Sequence, residues 1–251
     1  MKKILAFDSD DTIVVSKMPA TERMASLLAA AMQQYDVCII SGTGFESTIY
    51  PNTVKKIEQI PGVDLTRLHI MPTCGTRYYR YEADRWTLQY QEDLTDEQKS
   101  RIFAAIEVSA KELGMWVDNP AGEIIEDRLS QITYSALGQQ ATPEDKYAWA
   151  EANKDKRKLL NDAVKALIPE FEIRTAGTTS LDVTKPGVDK AYGMRKLLEA
   201  TGATKEDVLF FGDKLEEGGN DFPVKDMGID CIAVERWEDT AYALEGIIAV
   251  S

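Results

Sequence analysis

Short apolar runs alternate with longer stretches in which apolar positions recur every three to four residues, and this alternation fills the first third of the chain. Ile4 to Phe7, Val37 to Ile40 and Leu68 to Met71 read as strands. Helices are predicted from Thr21 to Tyr35, where Met24, Leu27, Leu28 and Ala31 share one face, and from about Phe45. Such an order predicts a parallel sheet covered by helices. After Cys74 the pattern changes and a new unit is expected to begin. Arg77 to Tyr81 and Arg85 to Tyr90 flank Glu82-Ala83-Asp84 like the arms of a hairpin. Thr95 caps a helix running to Gly114, and Glu123 to Asp127 and Gln131 to Leu137 read as adjacent strands. A charged helix follows over about Pro143 to Leu167, then strands at Phe171 to Arg174 and Ser180 to Val183. From Val188 the first regime resumes with a helix to Ala200, a strand at Val208 to Phe211, a segment from Asn220 to Met227, a strand at Cys231 to Val234 and a final helix from Trp237. The expected fold is therefore α/β, with a Rossmann-like three-layer core built from 1–83 and 186–251 and an inserted α+β domain over 84–185.

A length of 251 residues accommodates two such domains. The 44% hydrophobic and 28% charged residues suit a sizeable core and argue against disorder. The net charge of −13, without a Lys/Arg block, argues against nucleic acid as a partner. The same acidity repels anionic substrates, so any phosphate site here needs a local cation. Cys38, Cys74 and Cys231 are widely spaced and read as free thiols of a reducing cytoplasm. The apolar N-terminal run is interrupted by Asp8, Asp10 and Asp11 before it reaches signal-peptide length, and nothing later approaches a membrane span.

Candidate chemistry concentrates where predicted strands end. In Phe7-Asp8-Ser9-Asp10-Asp11-Thr12 the alternation of an extended chain points Asp8, Asp10 and Thr12 the same way, into the crevice where open α/β sheets bind ligands. One carboxylate of such a pair can attack phosphorus while the other moves a proton. A solvated strand-to-loop turn accounts for this stretch equally well on its own. Ser41-Gly42-Thr43 offers hydroxyls and turn amides for phosphate oxygens after the second strand, and Lys190 opens a helix after Lys185-Pro186-Gly187. The loop Gly212-Asp213-Lys214-Leu215-Glu216-Glu217-Gly218-Gly219-Asn220-Asp221 follows an apolar strand with an acid, paired glycines and Asn-Asp. Hard oxygen ligands in a glycine-permissive loop suit Mg²⁺.

An Asp-x-Asp strand end, a serine after the second strand, a distant lysine and Gly-Asp followed by Asn-Asp, in that order, resemble the haloacid dehalogenase (HAD) superfamily across nearly the whole chain. The middle insertion resembles its type-IIB cap. The resemblance implies Asp8 as nucleophile, Asp10 as general acid/base, Ser41 as phosphate hydrogen-bonder and Lys190 as charge partner. It also implies Mg²⁺ held by Asp8, Asp10 (through its carbonyl) and Asp213, with Asn220 and Asp221 completing the metal environment. Phe210-Phe211-Gly212-Asp213-Lys214 and Thr179-Ser180-Leu181-Asp182-Val183 are similar to the eukaryotic-type phosphomannomutases, which implies a substrate-binding role for Thr43 and, in the cap, for Arg128, Ser180 and Asp182.

The pattern departs from those mutases at Gln139 and Lys146, which stand where two phosphate-binding arginines are expected, and neither supplies a guanidinium's two-pronged grip. A mutase must retain a bisphosphate intermediate, so the reading adopted from the sequence is a sugar-phosphate phosphatase, with a phosphomannomutase as its alternative. A non-catalytic sugar-phosphate binder is a third reading, disfavoured because Asp8, Asp10, Lys190 and Asp213 are all present. Asp11 replaces the superfamily's usual glycine, and Cys74-Gly75 is read as a domain hinge. His69, Trp86, Trp116 and Trp149 are assigned to packing, and Lys154 to Lys158 to a solvated helix face. The expected partner is a phosphorylated sugar, with no membrane, and the expected assembly is a monomer or a cap-mediated homodimer.

Overall fold

The computed structural model describes residues 2–16 and 18–250; residues 1, 17 and 251, which include the outer ends of the expected core segments, lie outside this description. The chain divides into two compact units, one reaching to Gln91 and resuming at Asp189, the other spanning Glu92–Val188.

The first unit is built on a seven-stranded sheet in the order β11-β10-β1-β2-β3-β4-β5. Its parallel part comprises β1 (Ile4–Phe7), β2 (Asp36–Ile40), β3 (Leu68–Met71), β10 (Val208–Gly212) and β11 (Asp230–Ala233). The central strands β1, β2, β3 and β10 are nearly all apolar because both faces are covered, whereas the edge strand β11 is partly exposed. Leu5, Phe7, Val37 and Ile39 pack on one side with α1 (Glu22–Ala31) and α8 (Trp237–Val250), through Met24, Leu28, Ala241 and Leu244. Ile4, Ala6, Cys38 and Ile40 pack on the other with α6 (Lys190–Thr201) and α7 (Phe222–Asp226), through Met194, Leu197 and Val224. The helix expected from Phe45 begins as a wide π-turn over Phe45–Val54 that contains Pro51, and ends in a single α-turn, α2 (Lys55–Ile57). Proline has no N–H to give an α-ladder, which fits the irregular winding.

The hairpin of β4 (Arg77–Glu82) and β5 (Arg85–Gln91) belongs to this sheet, because β4 pairs antiparallel with β3 through His69↔Arg80 and Ile70↔Tyr79. The unit boundary therefore falls after Gln91 and not after residue 83, and it returns at Asp189 and not at 186. The turn at Cys74-Gly75 is likewise internal to the first unit, not a hinge: Thr73 and Cys74 take left-handed φ of 47° and 56°, and their amides bind Thr43 O at 3.0 Å and Ser41 O at 2.8 Å. Those bonds tie the turn to the loop after β2.

The second unit has one four-stranded antiparallel sheet in the order β6-β7-β9-β8. Its strands are β6 (Ile125–Asp127), β7 (Gln131–Ser135), β8 (Glu172–Ala176) and β9 (Ser180–Thr184). Ile132, Tyr134, Leu181 and Val183 turn to one face and meet Ile102, Ala105 and Ile106 of α3 (Asp96–Glu112) and Leu160 and Val164 of α5 (Lys154–Leu167). The charged helix is broken in two at Asn153, whose φ of −124° ends α4 (Pro143–Ala152), with its Nδ2 on Trp149 O at 2.9 Å. Among the described residues no helix is long and apolar enough to cross a membrane.

Candidate active site

Register builds the site. Phe7 pairs with Phe211 on one side and Ile39 on the other, so β1, β10 and β2 end level and Asp8, Asp213 and Ser41 follow at neighbouring strand ends. The strand order reverses around β1, which opens the crevice there. Asp8 is 4% exposed, with its amide on Phe211 O at 3.0 Å.

Lys190, first residue of α6 and 1% exposed, places its ammonium 2.6 Å from both Asp8 Oδ1 and Asp221 Oδ1. Asp189 caps that helix by accepting from the Tyr192 amide at 2.7 Å, which fixes where the lysine emerges. Burial works against the charge of Lys190, yet the two carboxylates hold its proton more tightly than in an ordinary lysine. Burial pushes the Asp8 carboxyl up to about 8, against the pull of Lys190 and with the push of Asp221. Keeping this carboxylate ionised calls for positive charge beyond one lysine.

The residues present meet that need with a metal-ligand set. One carboxylate oxygen each from Asp8, Asp213 and Asp221 lie within 4.8 Å of one another, and buried Asp213 Oδ1 has no hydrogen-bond partner. A hard-oxygen set with an orphaned buried acceptor fits a divalent cation. The loop that supplies it is shaped by its glycines. A Cβ on Gly212 would lie 2.5 Å from Asp221 Oδ2, and one on Gly219 would lie 2.2 Å from Lys214 O. The Lys214 amide donates to Asp221 Oδ2 at 3.1 Å and closes the loop.

On the opposite rim, Ser41 and Thr43 are buried with their hydroxyls 2.9 Å apart, and the Thr43 amide donates to Ser41 Oγ at 3.2 Å. Asp10 sits on the turn after Asp8, half-buried, and bridges to Val14. Asp11 adopts the left-handed φ of 60° that glycine would take, and its carboxylate accepts from the Ser16 amide at 3.1 Å, a local bond that accommodates the exchange. Asn220 is exposed on its loop, one residue before buried Asp221.

The residues expected to bind substrate in the second unit lie in a polar row on that unit's own sheet. Pairing of Glu126, Thr133, Asp182 and Arg174 across four strands sets them on one face. Arg128 Nη2 donates to Glu126 Oε2 at 2.7 Å, and Thr133 Oγ1 donates to Asp182 Oδ1 at 2.7 Å. Burial raises the Asp182 carboxyl, with Arg128 opposing. Ser180 opens β9 opposite Ser135. Glu126 and Thr133 escaped the sequence reading, although the alternation Gln131, Thr133, Ser135 in β7 was a signal for this polar face. Lys146 reaches the Gln139 carbonyl at 3.4 Å, so the two departures from the mutase pattern adjoin each other.

The family model of eukaryotic phosphomannomutase matches residues 25–250. A phosphomannomutase of Encephalitozoon cuniculi is 26% identical over 249 residues, covering 95% of this chain and 91% of its own. One of Drosophila melanogaster is 35% identical over 108 residues, 41% of each chain. Among solved structures, ATP-bound Plasmodium falciparum IMP-nucleotidase aligns with a TM-score of 0.73 at 15% identity, covering all of this chain and 61% of its own. A haloacid dehalogenase-like hydrolase from Bacteroides thetaiotaomicron aligns at 0.62 and 18% identity, covering 98% of this chain and 100% of its own. Its fold is shared with a haloacid dehalogenase-like hydrolase, and the sequence match extends over most of its length: the chain belongs to the eukaryotic phosphomannomutase family.

Proposed function

We propose that the chain transfers a phosphoryl group between positions of a hexose phosphate through an aspartyl-phosphate on Asp8, as a phosphomannomutase, with Mg²⁺ as cofactor. The observation that carries this reading is the buried Asp8 carboxylate held by Lys190 beside Asp213 and Asp221. Lys190 holds Oδ1, so Oδ2 is the attacking atom. As the Asp8 oxygen bonds to phosphorus, the sugar–oxygen bond to phosphorus breaks and Asp10 gives its proton to the departing alkoxide. In the second half, Asp10 takes the proton from the accepting hydroxyl as that oxygen attacks phosphorus and Asp8 is released. Ser41 and Thr43 donate to the phosphoryl oxygens, and Arg128, Ser180 and Asp182 orient the sugar. Asp8, Asp213, Asp221 and the Asp10 carbonyl would hold Mg²⁺, which supplies charge neutralisation to the transferring group.

Hydrolysis of the sugar phosphate is the second reading, and Gln139 and Lys146 favour it. Burial holds the Lys146 ammonium below the ordinary lysine range, and a lone ammonium grips a second phosphate less firmly than guanidinium groups. The free thiols Cys38, Cys74 and Cys231 support a cytoplasmic location.

Incubation with Mg²⁺, a hexose 1-phosphate and its 1,6-bisphosphate separates the readings. Isomer formation faster than phosphate release is expected, and dominant phosphate release at saturating bisphosphate would transfer the conclusion to hydrolysis. Asp8→Asn should abolish both products; an Asp8→Asn protein as active as the parent would remove Asp8 from its role.

A further inference from the structure

The Asp213 carboxylate faces two ways. Its Oδ1 is buried and unpartnered, while its Oδ2 is bonded by the ammonium of the neighbouring Lys214, and the carboxylate belongs to the metal-ligand set. Asp213 is 9% exposed at its side chain and Lys214 49%, so the lysine reaches inward from solvent onto a nearly buried acid. The carboxylates of Asp8 and Asp11 also act on this ammonium, which places it over the same negative field that attracts a divalent ion. The buried cation of the site, Lys190, is different in kind: it is 1% exposed and pinned between Asp8 and Asp221.

Resting on the reading of Asp8, Asp213 and Asp221 as a Mg²⁺ site, we infer that Lys214 is a movable counter-cation that competes with the divalent ion for Asp213 and sets the affinity of the site. Three things follow from its placement. An ammonium on one oxygen of Asp213 withdraws electron density from the carboxylate and adds a repelling charge within a few ångströms of the ligand oxygens. Its half-exposed stem can swing to water at little cost, whereas Lys190 has no such exit. Its backbone amide is bound to Asp221, so the side chain can leave Asp213 without opening the loop. Lys214 is therefore a positioning residue, acting through Asp213.

Calorimetric titration of Mg²⁺ into parent, Lys214→Met, Lys214→Arg and Lys225→Met proteins tests this directly. Lys225 is an exposed lysine of the same region whose ammonium lies 3.5 Å from Leu215 O, and it controls for loss of one positive charge. Lys214→Met should bind Mg²⁺ about tenfold more tightly than the parent, because a repelling charge and a competitor are both gone. Lys214→Arg, which keeps the charge, and Lys225→Met should stay close to the parent. Circular dichroism establishes that each variant is folded, and Lys214→Gln replaces the methionine variant if that one is not. Parental affinity in a folded, charge-neutral Lys214 variant overturns the inference and leaves the metal site standing. An equal gain in Lys225→Met also overturns it, since general field would then be the cause. Absence of Mg²⁺ binding in the parent overturns the metal site itself and this inference with it.

Discussion

At the scale of single residues the site depends on side chains that are absent as much as on those present. Asp221 packs its carboxylate against the Cα of Gly212, where a methyl group would come to 2.5 Å of Oδ2. Gly212 ends β10 one residue before Asp213, so a side chain there displaces both the partner of Lys190 and the start of the loop. Gly212→Ala is expected to keep the fold but lower kcat about a hundredfold, since displacement of a positioned group by about an ångström costs that much. Steady-state kinetics with circular dichroism checks this; a folded variant within threefold of the parent's kcat would contradict the assignment. The identities of Asp8, Lys190 and Asp213 were legible in the sequence because each stands at a strand end or helix start. The contribution of Gly212 was not, because the atom it avoids belongs to a residue nine positions on.

At the scale of elements, the two proposed readings, mutase and phosphatase, divide over the segment from Gln139 to the start of α4. Gln139 precedes the helix and Lys146 lies in its first turns, with the lysine ammonium on the glutamine carbonyl. Arginines at both positions would offer forked, permanently charged donors to a phosphate. The double variant Gln139→Arg/Lys146→Arg should therefore retain a bisphosphate intermediate better and lower the ratio of released phosphate to isomer by about tenfold. Product analysis by phosphorus NMR measures that ratio, and an unchanged ratio would show that this loop does not govern partitioning. The sequence exposed these two departures by their spacing from Arg128. It did not show the break at Asn153, because residues from Pro143 to Leu167 all suit a helix and only the packing of α5 against α3 and the sheet decides where the axis turns.

At the scale of the whole molecule, stability should depend on pH through the buried junction between the parallel and antiparallel parts of the large sheet. His69 on β3 is fully buried, with Nδ1 2.7 Å from the Tyr78 hydroxyl, Nε2 3.8 Å from Asp36 Oδ2 and Arg80 Nη1 at 2.8 Å. Burial lowers its pKa, with Arg80 adding to the effect and Asp36 opposing it. A folded value below the unfolded one means that the unfolded chain binds the extra proton first. The stability linked to His69 is thus fully present above the ordinary histidine range and is lost as pH falls through it. Asp36 does not share this window, because the neighbouring His69 holds it below the usual carboxylate range. The urea midpoint of the parent should fall more between about pH 7.5 and about pH 5.5 than that of His69→Asn. Equal slopes would exclude His69 as the source. The sequence assigned His69 to packing; its polar partners required the β3–β4 pairing, which a change of regime after Cys74 had suggested was a domain boundary.

By itself, the sequence determined most of the order of strands and helices, the parallel character of the central sheet and the set of strand-end residues that the proposed chemistry uses. These depend on local periodicity, on burial of both faces of a parallel sheet and on the chemical types placed at strand ends, all of which are written in neighbouring residues. Only the tertiary structure decided which sheet the Arg77 to Gln91 hairpin joins, how Asp221 comes to share Lys190 with Asp8, and that Lys214 faces Asp213. Each of these pairs groups through hydrogen bonds or close approach whose strength depends on distance in space, and no local pattern encodes that distance.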